Sequence, residues 1–173
     1  MFTLKQFTKH WTTIYTPIAE NGAKKQEDNF HCVESITKVL NLVNEIPNLC
    51  SPFVVMENNI GGEITDKGLR PEYNIYFFVK AKPSLSPIDE KRDDEAKEEA
   101  MRHALEYINY IGYSQEQMDE LSESLKGIIT DNIHFETFGP IYDRWFFVGI
   151  SLEETARRSK CHNKSLYKQD ASI

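Results

Sequence analysis

Glycine is sparse in this sequence, cysteine sparser, and long apolar runs are missing. Eight glycines are spread over 173 residues, and none falls in a G-x-G-x-x-G or G-x-x-x-x-G-K-[ST] pattern. No nucleotide-phosphate cradle is therefore expected. Gly61-Gly62 is a lone pair, and no helix is expected just behind it to supply the amide groups that hold a phosphate. The three cysteines, Cys32, Cys50 and Cys161, are odd in number and far apart. That excludes a disulfide framework and a C-x-x-C site, and suits free thiols in a reducing compartment. No apolar stretch approaches the roughly 20 residues of a membrane span. The opening MFTLKQFTKHW is periodic rather than continuously apolar, so it does not read as a signal peptide. The expectation is a protein made and used in a cytoplasm, or in particles assembled there, with no membrane contact.

Catalytic patterns are equally scarce. H-E-x-x-H and G-x-S-x-G do not occur. The five histidines, His10, His31, His103, His134 and His162, include no i,i+3 or i,i+4 pair that would aim two imidazoles at one metal. His31-Cys32 and Cys161-His162 are adjacent dipeptides, and neighbours on a strand point to opposite faces. No metal and no cofactor are expected. Asp143 and Glu136 flank the last turn and leave one catalytic alternative, a divergent metal nuclease.

What the sequence does have is an aromatic, amphipathic body with uneven charge. Apolar residues make up 40% and aromatics 12%, which excludes global disorder. The length suits one domain. The net charge of −7 argues against a general nucleic-acid coat. Residues 89–99 carry seven acids against three bases, whereas residues 156–168 carry five Lys/Arg and no acid. One α+β domain over 1–154 followed by a basic arm over 155–173 is expected.

The periodicity predicts a helix over 3–19, with Leu4, Phe7, Trp11, Ile14 and Ile18 on one face and a Thr3–Gln6 capping box. A polar, mobile loop follows at 20–29. A second helix is expected over 35–46, with Ile36, Val39, Leu40 and Val43 inward, and a buried strand over 52–57. The segment 58–73 holds three glycines, two asparagines and a proline, and reads as a long loop. Residues 73–80 read as a central strand, with Tyr73, Ile75, Phe77 and Val79 opposite Tyr76 and Phe78. A long helix over 88–111 is expected to end at Gly112, with Met101, Ala104, Leu105, Ile108 and Ile111 as its stripe. Another helix over 114–129 would be capped by Ser114. Strands over 132–138 and 141–152 close the body around a Gly139-Pro140 turn. The result is an antiparallel sheet of about four strands packed with about four helices.

Taken in order, these segments resemble those of small neck proteins from Bacteroidetes-type tailed phages and prophages. The likeness spans about residues 3–154. It rests on LKQFTKHW, FVVMEN with its polar loop, YNIYFFVKAK, and the closing HFETFGPIYDRWFFVGISLEE. The turn Phe138-Gly139-Pro140-Ile141 and Gly149 in the last strand also fit. The resemblance implies a tail-terminator-like or connector fold. It implies a virion protein that forms a closed homo-oligomeric ring between portal and tail and acts as an adaptor. Its partners would be itself, neighbouring neck, tail or portal proteins, and DNA in passing. A negatively charged lumen would let that DNA slide. The surfaces expected to reach adjacent subunits are loop 58–72, through Asn59, Gly61, Gly62, Lys67 and Arg70, and the tail, through Arg157, Arg158, Lys160, Lys164 and Lys168. A cytoplasmic interaction or regulatory domain with another partner is the alternative.

Overall fold

The computed structural model describes residues 3–46, 48–66, 68–83, 89–117 and 125–155. It is an α+β structure with four α-helices and a six-stranded mixed sheet. Helix α1 (Leu4–Ile14) begins at the expected capping box: Gln6 N–H donates to Thr3 Oγ1, and Thr3 N–H donates to the Gln6 side chain. The helix does not run on to 19. Tyr15 is extended, and a separate turn α2 (Thr16–Ala19) starts with Pro17 in its first turn. Pro17 has no N–H to give, so it sits best at a helix start. The break frees Tyr15 to stack on Trp11 and turns Ile14 outward, while Leu4, Phe7, Trp11 and Ile18 are buried as expected.

Residues 20–29 are more ordered in their bonding than a plain loop. They contain a 3₁₀ turn, Gln26–Asn29, anchored by Asn29. Its amide donates to Ile18 O at 2.9 Å, and its Oδ1 accepts from Asn21. Strand β1 (Phe30–Val33) follows, then α3 (Ile36–Glu45) and β2 (Phe53–Glu57). Strand β1 pairs parallel with β2, so the sheet is mixed rather than purely antiparallel. Its half-buried FHCV sequence gave no alternation to read. In α3, Val39 and Leu42 are the buried residues, and Ile36 is partly exposed at the first turn.

The segment expected as a long loop is instead a hairpin. Strand β3 (Gly61–Thr65) pairs antiparallel with the first part of β4 (Gly68–Lys80). The second part of β4 pairs with β2 on the same edge and with β6 (Trp145–Glu153) on the other. Strand β5 (His134–Ile141) lies outside β6, giving the order β1-β2-β4-β6-β5. Gly139 and Pro140 are not the turn: they lie inside β5 at an irregularity between Phe138 and Ile141. The turn is Tyr142–Arg144, where Asp143 and Arg144 adopt positive φ.

Helix α4 (Glu90–Glu116) passes through Gly112 and includes Ser114, which is buried rather than a cap. Gly112 costs roughly 1 kcal/mol relative to alanine. That is outweighed by burial of Tyr107 and Ile111, each contributing on the order of 1.5–3 kcal/mol. Leu105, expected in the stripe, faces outward, and Ala96, Ala100 and His103 take the inner positions. Gln115 donates to the carbonyls of Leu125 and Ile128 and so fixes the return of the chain. Ile128 bridges to Glu154 rather than lying in a helix. Residues 118–124 of the helix expected over 114–129 lie outside the described residues.

These elements form three layers. One sheet face carries Val54, Met56, Ile75, Phe77, Val79, Phe146, Val148, Ile150 and Leu152 under α1, α2 and α4. This is the closed face. The other carries Phe53, Val55, Tyr76, Phe78, Trp145 and Phe147, and among the described residues α3 is the one helix that packs on it, over β1 and β2. Four phenylalanines from four adjacent strands stack along this second, open face. Phe53–Phe78, Phe78–Phe147 and Phe147–Phe138 have ring centroids 4.7, 4.5 and 4.5 Å apart. The heavy aromatic content is thus divided between two cores rather than gathered on one.

Candidate functional site

Two surfaces stand out: the β3–β4 arm and an open groove on the sheet. The arm is formed where β4 extends beyond its β6 pairing, which begins at Glu72. Past that point the hairpin has only its own two strands, from Gly61↔Glu72 to Thr65↔Gly68. Gly62 is required here: with φ +144°, an added Cβ would stand 2.3 Å from Arg70 O. The cross-strand pair Ile64 and Leu69 is 90% and 53% exposed, and Ile60 at the arm's root is 60% exposed. Apolar side chains this open on a paired ribbon make the arm a candidate contact surface.

The candidate interface residues divide here. Asn59, Gly61, Gly62 and Arg70 all lie on the arm or its root. Asn59 spends its amide on Glu34 O, tying the root to the β1–α3 connection. Arg70 pairs with Glu153 at 3.3 Å. These two therefore brace the arm, while Ile60, Ile64 and Leu69, which the polar composition of the segment obscured, are its exposed apolar groups. Lys67, Arg157, Arg158, Lys160, Lys164 and Lys168 lie outside the described residues.

The groove lies where α3 stops covering the open face. It holds about 370 Å³ and is bounded by Ile36 at the start of α3, by β4 and β6, and by β5 at its far side. Its floor is shaped by Gly149, because Tyr76 lies over that position: an added Cβ would be 2.8 Å from Tyr76 Cε1. The Tyr76 hydroxyl donates to Glu57 Oε1 at 2.8 Å, Asn74 reaches Glu57 Oε2 at 3.4 Å, and Ser151 Oγ donates to Glu72. His134 and Glu136 form the β5 wall, both exposed. Burial pushes the Tyr76 phenol well above its ordinary value, and the Glu57 carboxylate it bonds to adds to the shift. It stays protonated as a donor and offers no base or nucleophile at neutral pH.

The geometry does not assemble a catalytic pair. Asp143 sits in the β5–β6 turn, where it pairs with Lys80, whereas Glu136 lies mid-strand in β5 opposite Gly149. Among the described residues no group of three or more His, Cys, Asp or Glu side chains could hold a metal ion. No helix among them is long and apolar enough to cross a membrane. Arg144, beside Trp145, is structural: it donates to the Asp93 carboxylate and to Asp89 O, joining the β5–β6 turn to the first turn of α4. No protein-family model matches the sequence, and no curated protein gives a significant match, so any functional reading rests on these surfaces themselves.

Proposed function

We propose that the chain is a structural subunit of a homo-oligomeric ring in the neck or tail of a tailed bacteriophage, joining portal to tail and acting through shape rather than bond-making. The arm carries this reading. Ile60, Ile64 and Leu69 are exposed on a hairpin that stands clear of the main sheet pairing. The outer edge of β3 has no strand beside it among the described residues. Free backbone groups and apolar side chains together suit addition to a neighbouring subunit. An arm that contacts a different patch on the next copy makes a heterologous interface, which closes into a ring when its rotation allows. The exposed acids in the first half of α4, Glu90, Asp94, Glu95 and Glu98, suit a surface past which DNA slides.

Native mass spectrometry of the isolated protein, together with mass measurement on assembled particles, tests the reading. A discrete oligomer in either, lost on Ile64→Asp, is expected. Monomer alone in both would end the proposal.

A further inference from the structure

The groove on the open face is a polar cleft with an apolar floor, and among the described residues the helix layer that closes the other face has no counterpart over it. Carboxylates outnumber cations on this face. Glu136 lines the groove from β5, Glu57 and Glu72 stand beside it bonded to the lining residues Tyr76, Asn74 and Ser151, and Arg70, the guanidinium on the same face of β4, is already paired with Glu153. Glu136 has no hydrogen-bond or ion-pair partner among the described residues. An uncovered sheet face of this kind fits an occupant that is cationic and carries some apolar surface.

We infer that the groove receives the basic C-terminal segment of its own chain, residues 156–168. That segment holds Arg157, Arg158, Lys160, Lys164 and Lys168 with no acid, and places Leu166 and Tyr167 among them. It follows Thr155, the last described residue, just beyond β6, the strand that supplies the groove floor through Gly149 and Ser151. Thr155 lies six residue steps beyond Gly149, a path of roughly 20 Å at about 3.3 Å per residue. A chain turning back at Thr155 can cover that distance by about residue 161, which sets Lys160 and Lys164 astride the cleft. Attachment at Thr155 also makes the encounter intramolecular, with an effective concentration on the order of millimolar for a short flexible linker. The alkyl stems of lysine would lie on the apolar floor while their ammonium groups meet the carboxylates.

Carbodiimide coupling on the unmodified full-length chain tests this, because it joins only lysines and carboxylates already in contact. A mixture of unlabelled and ¹⁵N-labelled protein separates links within a chain from links between chains. Links from Lys160 or Lys164 to Glu57, Glu72 or Glu136 within one chain are the expected result. Links only to the acids of α4, or only between chains, would overturn the inference; the second outcome would assign the groove to a neighbour's tail. A second measurement uses Glu72→Gln with Glu136→Gln, both at accessible positions. Trypsin should then cut after Arg157, Arg158 and Lys160 roughly tenfold faster, as expected for loss of about 1.4 kcal/mol of docking. Unchanged cleavage would count against it equally.

Discussion

The two faces of the sheet use the same strands to different ends. On the closed face, α1 lies over β1 and β2, and α4 lies over β4 and β6. Trp11 is wedged between Tyr107 and Phe77, at ring-centroid distances of 5.1 and 6.0 Å. Buried polar groups there meet across elements, as Thr8 does with Tyr107 and Tyr15 with His103. On the open face, among the described residues, a single ten-residue helix covers one end, and the strands supply their own cover through the phenylalanine stack. Stability is concentrated on the first face, and the second keeps its groove available. A sheet can leave a surface free for contact only if the opposite side anchors it.

The largest expected effect breaks the anchored side. Trp11→Ala removes an almost fully buried ring between two aromatics and should cost about 3–5 kcal/mol in denaturant unfolding. A loss under about 1 kcal/mol would mean the closed face is not the dominant core. A smaller effect is expected from filling the floor of the open face. Gly149→Val forces Tyr76 off its position and should cost about 1–3 kcal/mol by overpacking. It should also weaken the Tyr76–Glu57 hydrogen bond, visible as a fall in the tyrosine titration midpoint.

Acidity should act on the closed face through His103. This imidazole is buried, with Nδ1 2.9 Å from the Tyr15 hydroxyl and Nε2 3.6 Å from Glu99 Oε1. Burial lowers its pKa; Glu99 opposes that shift and Arg102 reinforces it. The folded state therefore keeps the ring neutral where the unfolded chain, with an ordinary value of about 6.5, takes up a proton. The contribution is complete above that value and is lost as the pH falls through the unfolded and then the folded pKa. His103→Gln should flatten this part of the stability profile, and an unchanged slope would assign it elsewhere. His31, also lowered by burial, adds a slope of the same sign that His103→Gln leaves in place.

The smallest effect on folding is expected at the arm. Ile64→Ser removes a side chain that touches almost nothing in the subunit, and should change stability by no more than about 0.5 kcal/mol. If the arm is a contact surface, the same change should still reduce oligomer mass. A large stability loss in the monomer would show that the arm belongs to the core.

Helices and central strands were legible because burial imposes a period. The stripe of α1, the alternation of Tyr73–Val79 in β4 and the aromatic last strand all follow from one face meeting a core. The arm was not legible: its residues are exposed on both sides, so no alternation records their pairing, and its glycines read as loop. Gly112 and Ser114 misled for a related reason, since local capping signals were overruled by packing of the whole length of α4. The sequence reading singled out this segment for its polar residues; the exposed Ile64 and Leu69 show themselves only once the hairpin is paired.

By itself, then, the sequence determined that the chain folds around an aromatic α+β core and carries charge of opposite sign in its body and tail, because composition and hydrophobic period are local properties. Only the tertiary structure decided that β1 runs parallel to β2, that residues 61–72 form an arm, and that a groove lies beside α3 on one sheet face. Those features depend on which strands meet and how far a helix reaches across them. Such distances between residues remote in the chain leave no periodic trace along it.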